Sequence, residues 1–198
     1  LSKINWKKYG VDIVLECTGK YNSKEKSIQH IKNGAKKVIV SAPCKNADKT
    51  IVYGVNHKSI NKNDIIISAA SCTTNCLVPV AFIINKEFKI EKGFMTTIHS
   101  YTTDQRLLDN SHKDPRRARS AGQSIVPTST GASKTLEEII PELKGKIEGL
   151  AIRVPTPNVS LVDLVFNSQN KLSVKKINDS FIKASNKELK NVLDTTNE

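Results

Sequence analysis

The 198-residue chain has one methionine, Met95, one tryptophan, and only 5% aromatic residues. With no methionine near Leu1, and a C-terminus that follows directly on a helical pattern, the sequence reads as part of a longer chain. No apolar run approaches the roughly 18 residues of a membrane-spanning helix, and no basic-then-apolar leader opens the chain. A membrane partner is therefore not expected, and the cytoplasm is the expected compartment. Four cysteines are too few and too irregularly spaced for a secreted disulfide framework. Cys72 and Cys76 stand four apart, wrong for a Cys-x-x-Cys redox pair, and no neighbouring Cys or His pair completes a zinc site. No metal is expected. Arginine is also scarce: five of the 31 basic residues, at 106, 116, 117, 119 and 153. The net charge of +12 therefore comes from scattered lysines. A solvated lysine-rich surface accounts for it better than a nucleic-acid groove, and the few aromatics give little for bases to stack on.

What is present is an alternation of short apolar runs with amphipathic stretches. Val11–Leu15, Lys37–Val40, Thr50–Tyr53 and Ile65–Ser68 read as buried strands, with a helix from Ser23 to Asn33 between the first two. This predicts a parallel α/β sheet. From Ser71 to Phe88 a long apolar helix is predicted, disturbed at Pro79. A strand at Phe94–His99 follows, then a polar irregular stretch from Ser100 to Ser129 that carries four of the five arginines. A loop that long inside a compact domain points to function. The remaining pattern predicts a helix at Ala132–Ile140, strands at Leu150–Val154 and Val159–Phe166, and helices at Val174–Ala184 and Lys187–Leu193.

Three features carry chemistry. Ser71-Cys72-Thr73-Thr74-Asn75-Cys76 sits where a strand turns into the long helix, and a cysteine there meets the positive end of the helix dipole, which favours the thiolate. His99 ends the next predicted strand 27 residues on, where it can return to the helix start as a base for Cys72. Arg116, Arg117, Arg119 and Arg153, with Thr128-Ser129-Thr130-Gly131 opening a helix, supply planar forks and helix-start amides suited to phosphate oxygens.

The strings SCTTNC (71–76), HSYT with DQRLLD (99–109), RRAR (116–119), PTSTGA (127–132) and RVPTPNVSLVDL (153–164) resemble those of phosphorylating glyceraldehyde-3-phosphate dehydrogenases, and the resemblance runs along essentially the whole chain. It implies the C-terminal part of a Rossmann-type parallel sheet, residues 1–70, followed by an α+β catalytic domain with a mixed sheet, residues 71–198, truncated at its end. Glyceraldehyde 3-phosphate would be oxidised to 1,3-bisphosphoglycerate in glycolysis through a thioester on Cys72, with His99 as base and NAD, or NADP, taking the hydride. The same resemblance assigns Thr102 and Arg153 to the substrate phosphate. Ser71, Thr130, Gly131 and Arg117 are assigned to inorganic phosphate, and Thr18, Gly19 and Ser41 to cofactor contact. It also implies a homotetramer whose interface uses the Tyr101–Val126 loop.

Departures from the family pattern are specific. Ala69 stands where members usually have Asn, removing one expected hydrogen bond near Cys72. At Asn110-Ser111, strictly NAD-using members often have Leu-Pro and dual-cofactor members Ala-Ser, so Ser111 leaves NADP open. No G-x-G-x-x-G occurs among the nine glycines, so a pyrophosphate cradle is missing and the chain alone is expected to be inactive. Competing readings are an erythrose-4-phosphate dehydrogenase, or a non-catalytic remnant or basic RNA-binding module.

Overall fold

The computed structural model describes residues 3–197. The chain divides into two units: Leu1–Ile83 with Asn178–Glu198, and Ile84–Ile177. Both boundaries fall inside helices, so neither division is marked by a linker.

The first unit holds a four-stranded, wholly parallel sheet in the order β1-β2-β4-β3, formed by Ile13–Glu16 (β1), Lys37–Val40 (β2), Lys49–Thr50 (β3) and Ile66–Ser68 (β4). The helix α1, Lys24–Lys32, makes the crossover from β1 to β2. Ser23 caps it by accepting from the Lys26 amide, Glu25 lies in its first turn, and His30 and Lys32 lie in its last. This is the charge order that the helix dipole favours. Gly34, at φ +103, then turns the chain where a Cβ would come within 2.8 Å of the Lys7 side chain. Val38, Val40 and Ile66 are fully buried and pack with Ile28 and Ile31 of α1. On β1, Val14 is buried while Ile13 and Leu15 are 53% and 66% exposed, and among the described residues β1 pairs only with β2.

Two sequence expectations are corrected here. The strand predicted at Thr50–Tyr53 stops at Thr50, because the Asn56 side chain accepts from the Val52 amide (2.8 Å) and donates to the Thr50 carbonyl (2.9 Å), folding the chain into a turn. The helix predicted at Lys187–Leu193 does not form. Helix α4, Val174–Asn186, ends there instead, and the following turns bury Leu189 completely against Ile83 and Ala184. Burial of one leucine outweighs a weak helical periodicity.

Helix α2, Cys72–Phe88, runs unbroken through Pro79. Its apolar residues Leu77, Val78, Ala81, Ile83 and Ile84 are buried.

The second unit is a mixed sheet in the order β6-β7-β5-β8. Ile90–Ser100 (β5) pairs in parallel with Ile147–Val154 (β7) and antiparallel with Ser160–Ser168 (β8). Val126–Thr128 (β6) pairs antiparallel with β7. The polar stretch from Ser100 to Ser129 is thus not wholly irregular: it contains β6 and a single 3-10 turn, Pro115–Ala118. Pairing with β7 recruits a three-residue strand too short to announce itself by periodicity. Helix α3, Ala132–Ile139, buries Ala132 and Leu136. Gly149 of β7 faces Met95 of β5, and a Cβ there would lie 2.8 Å from the Met95 carbonyl oxygen, so only glycine fits without a shift. The sheet also exposes an apolar set, with Phe94, Leu161 and Val165 each more than 40% exposed. No helix among the described residues is long and apolar enough to cross a membrane.

Candidate active site

In the first unit, the expected residues gather along one edge. Thr18 and Gly19 follow β1, Ser41 follows β2, and Ser71 and Cys72 follow β4, so all stand beyond the carboxyl ends of neighbouring parallel strands. That is where open α/β sheets bind ligands. The Ser41 amide donates to the Glu16 carbonyl (3.0 Å), tying the β2 loop to the end of β1. Gly19 sits at φ +72 with no atom within 4 Å of where a Cβ would be, leaving open space above the turn.

Cys72 is the first residue of α2 and is exposed. The Ser71 hydroxyl accepts from the Thr74 amide (3.1 Å) and shares a 2.7 Å bond with the Thr74 hydroxyl, an N-cap that starts the helix at Cys72. The side-chain nitrogen of Asn75 donates to the carbonyls of Ala69 (2.8 Å) and Ser71 (2.9 Å), bracing the turn before Cys72.

A residue that sequence reasoning passed over supports this turn from below. Ser68 is fully buried, and its hydroxyl donates to the Ala42 carbonyl (3.0 Å) while accepting from the amides of Cys44 (3.2 Å) and Ala70 (3.1 Å). Ala70 takes φ +59, a conformation costly for a residue with a Cβ, and the bond from Ser68 helps hold it. A serine at the end of an apolar strand was the only sequence signal available.

Cys76 lies one turn further along α2. Enclosure pushes its thiol up, with a smaller push from the neighbouring Cys72 sulfur. Its residue surface is nonetheless exposed; partial exposure and an enclosed sulfur are compatible in a side chain this small. Burial, followed by Glu25 and Asp48, raises Cys44 as well.

In the second unit, His99 near the end of β5 is directly opposite Arg153 of β7 in the parallel register. His99 is 7% exposed. Arg153 Nη1 lies 2.8 Å from His99 Nδ1 and donates to the Ser100 carbonyl (2.9 Å), which is itself 2.7 Å from His99 Nδ1. The carbonyl has two lone pairs and can accept from both groups at once. Arg153 and the Ser100 carbonyl make opposite demands on Nδ1: a proton there donates to Ser100 and leaves Nε2 basic, whereas a bare Nδ1 accepts from Arg153 and places the proton on Nε2.

The remaining assigned residues form three further groups. The Thr102 amide donates to the Gln105 side-chain oxygen (3.3 Å), and the Gln105 amide returns a bond to the Thr102 carbonyl (2.9 Å). Gln105 is buried, and its side-chain nitrogen has no hydrogen-bond partner among the described residues. Arg117 donates through Nε to the Thr128 hydroxyl (3.0 Å) and through Nη1 to Asp104, while Thr128 donates to Asp114 (3.0 Å). Arg117 is therefore held by carboxylates, as an anchor of the loop. Thr130 and Gly131 instead form the start of α3, where the Thr130 hydroxyl accepts from the Ala132 amide (3.2 Å). No group of three or more His, Cys, Asp or Glu among the described residues could hold a metal ion.

This constellation has relatives. A family model for the glyceraldehyde 3-phosphate dehydrogenase C-terminal domain matches residues 71–198. Glyceraldehyde-3-phosphate dehydrogenase 2 of Bacillus subtilis (strain 168) is 52% identical over 197 residues, covering 99% of this chain and 58% of the relative. The glyceraldehyde-3-phosphate dehydrogenase of Cereibacter sphaeroides is 55% identical over 189 residues, 96% of this chain and 57% of the relative. That of Geobacillus stearothermophilus is 53% identical over 189 residues, 95% of this chain and 56% of the relative. The chain thus spans just under three-fifths of the length of these relatives. With that match, and with Cys72 opening a helix at the carboxyl edge of a parallel sheet and His99 bonded beside Arg153 on a mixed one, the chain belongs to the glyceraldehyde-3-phosphate dehydrogenase family.

Proposed function

We propose that this chain supplies the nucleophile, base and phosphate-binding residues of an enzyme that oxidises and phosphorylates glyceraldehyde 3-phosphate in the cytoplasm, as a step of glycolysis. The observation that carries the reading is the position of Cys72 at the capped first turn of α2. Cys72 stands at the positive end of a 17-residue helix, where the helix-start amides can face the oxyanion formed when its sulfur attacks a carbonyl.

In this reading Cys72 Sγ attacks the aldehyde carbon to give a hemithioacetal, and His99 Nε2 takes the hydroxyl proton. In this role the ring proton sits on Nδ1, against the Ser100 carbonyl, and Nε2 is left to take the hydroxyl proton. Loss of the hydride, for which a nicotinamide dinucleotide would supply the acceptor when bound, leaves a thioester on Cys72. Inorganic phosphate attacks the thioester carbonyl, the C–S bond breaks, and an acyl phosphate leaves with Cys72 restored. Arg153 and Thr102 hold the substrate's own phosphate, and Ser71, Thr130, Gly131 and Arg117 serve the attacking phosphate. Arg117 keeps Nε on Thr128 and one Nη1 hydrogen on Asp104, and would reach the anion through its remaining guanidinium hydrogens.

The residues present fit a dinucleotide. Thr18, Gly19 and Ser41 line the carboxyl ends of adjacent parallel strands, and Gly19 leaves room for a ligand to approach the backbone. These residues suit NAD, and Ser111 keeps NADP within the proposal. Residues 1–70 are proposed as part of the dinucleotide-binding domain and 71–198 as the catalytic one. A homotetramer is proposed as the working assembly, and the chain by itself as inactive.

The test is a spectrophotometric assay of the intact protein with glyceraldehyde 3-phosphate, NAD and phosphate. Dinucleotide reduction that needs phosphate and disappears in Cys72→Ser is expected. Reduction that persists in Cys72→Ser would exclude the thioester route.

A further inference from the structure

Glu16 ends β1, is 3% exposed, and belongs to none of the groups assigned above. A buried carboxylate needs partners for both oxygens. One oxygen, Oε2, lies 2.9 Å from His30 Nε2, and the His30 ring is itself buried. The other, Oε1, accepts from the Thr18 amide (2.7 Å) and from the Thr18 hydroxyl. Beyond His30, the Trp6 indole N–H donates to Nδ1 (3.2 Å). Indole can only donate, so Nδ1 must accept and the ring proton must sit on Nε2, pointing at Glu16. The direction of every bond is thereby set: Trp6 to His30, His30 to Glu16, Thr18 to Glu16. The Glu16 backbone carbonyl also accepts from the Ser41 amide (3.0 Å).

We propose that Glu16 is a positioning residue for dinucleotide binding, joined by its carboxylate to Thr18 and by its carbonyl to Ser41, and anchored from within the fold by His30 and Trp6. This rests on the reading of Thr18, Gly19 and Ser41 as cofactor contacts. Glu16 touches no ligand; it fixes the turn that does. Beyond Thr18 the turn closes on itself, with the Lys20 amide donating to the Thr18 hydroxyl (3.2 Å) and the Asn22 side chain donating to the Gly19 carbonyl (2.9 Å). Gly19, at φ +72 and with nothing beside it, takes its conformation from these bonds and from Thr18. Burial alone raises a carboxyl, but here the bonds from Thr18 and His30 outweigh it and hold Glu16 below the usual carboxylate range. The acceptor that Thr18 needs is therefore present throughout the neutral range.

A glutamine cannot replace this carboxylate. It offers one carbonyl acceptor and one amide NH2 donor, whereas the site presents donors on both sides: His30 Nε2–H and the Thr18 amide and hydroxyl. Either orientation sets an N–H against an N–H. Glu16→Gln in the intact protein is therefore the test, read by calorimetric titration with NAD and by hydrogen exchange at Thr18 and Gly19. The expected result is a dissociation constant raised about tenfold, faster exchange at both amides, and a KM for dinucleotide that rises while that for glyceraldehyde 3-phosphate stays within about twofold. An unchanged dissociation constant despite faster exchange overturns the proposal and leaves Glu16 a purely structural residue. Should Glu16→Gln fail to fold, Glu16→Asp keeps the charge but withdraws the oxygens by about one C–C bond, roughly 1.5 Å. An affinity loss of at least about threefold is then expected, and none overturns the proposal. A wild-type protein that binds neither NAD nor NADP removes the functional reading and this inference with it. Normal wild-type binding with unaffected variants removes the inference alone.

Discussion

Arg153 Nη1 stands 2.8 Å from His99 Nδ1, and both groups converge on the carbonyl of Ser100. The pairing follows from register: His99 of β5 lies opposite Arg153 of β7 in a parallel ladder. A residue proposed as the base is thus built into the same hydrogen-bond group as one proposed to hold the substrate phosphate.

Replacing either should affect turnover, in distinguishable ways. His99→Asn is expected to lower kcat by about 10²- to 10⁴-fold, the usual worth of a positioned base. Arg153→Lys keeps the charge but loses the planar fork, and should raise KM for the aldehyde phosphate more than it lowers kcat. Steady-state kinetics of both variants would check this; an unchanged KM in Arg153→Lys would remove the phosphate role.

Iodoacetate should discriminate between the two cysteines of α2. Cys72 opens the helix and is exposed, whereas the Cys76 thiol is pushed up by enclosure and by its neighbour. Mass spectrometry of tryptic peptides after brief treatment should find Cys72 modified first and nearly stoichiometrically. Equal, slow labelling at both positions would argue against activation by the helix start.

Ser68 should matter to Cys72 without touching it. Ser68→Ala deletes three hydrogen bonds at a fully buried site and strands the Cys44 and Ala70 amides. Loss of about 1–3 kcal/mol is expected, seen as a lower denaturant midpoint, together with slower alkylation of Cys72. Normal alkylation in a destabilised variant would confine Ser68 to stability.

Acid should act through Asp48. Burial opposes ionisation there, but the Lys24 ammonium and the amides of Ile66 and Ile65 more than compensate, and the carboxyl is held below its ordinary 3.8. A depressed folded-state value means that the unfolded chain binds the proton first. The stabilisation is complete above the unfolded value and erodes as pH falls from about 3.8 through the lower folded value. Asp48→Asn should flatten the acid limb of a stability-versus-pH curve and lower stability at neutral pH; a curve parallel to wild type would exclude Asp48 as a contributor.

The capped helix start in the candidate site was legible because its signals are local. Ser71-Cys72 at a strand-to-helix junction is a short-range pattern, and an N-cap forms from residues three apart. Gly34 likewise marked a helix end that the structure places at a left-handed turn. The arginine cluster was legible in the sequence, but not which carboxylates and hydroxyls its members meet. Arg117 meets Asp104 across 13 residues and Thr128 across 11, separations over which no periodicity operates.

The sequence by itself determined the family, the parallel-then-mixed order of the two sheets, and Cys72 and His99 as the residues to watch, because long motif strings and short-range alternation are written along the chain. Only tertiary structure decided the rest. Leu189 left helical geometry to enter a core shared with Ile83, Phe82 and Val55, more than a hundred positions away. Val126–Thr128 became a strand because β7 offered it an edge. Glu16 came to face His30, 14 residues on, because α1 brings its last turn back to the end of β1. In each case the deciding energy is burial or a hydrogen bond between groups distant in sequence, and such contacts exist only once the chain has closed on itself. The helix start at Cys72 could be read from six letters; the serine beneath it and the glutamate beside its sheet edge could not.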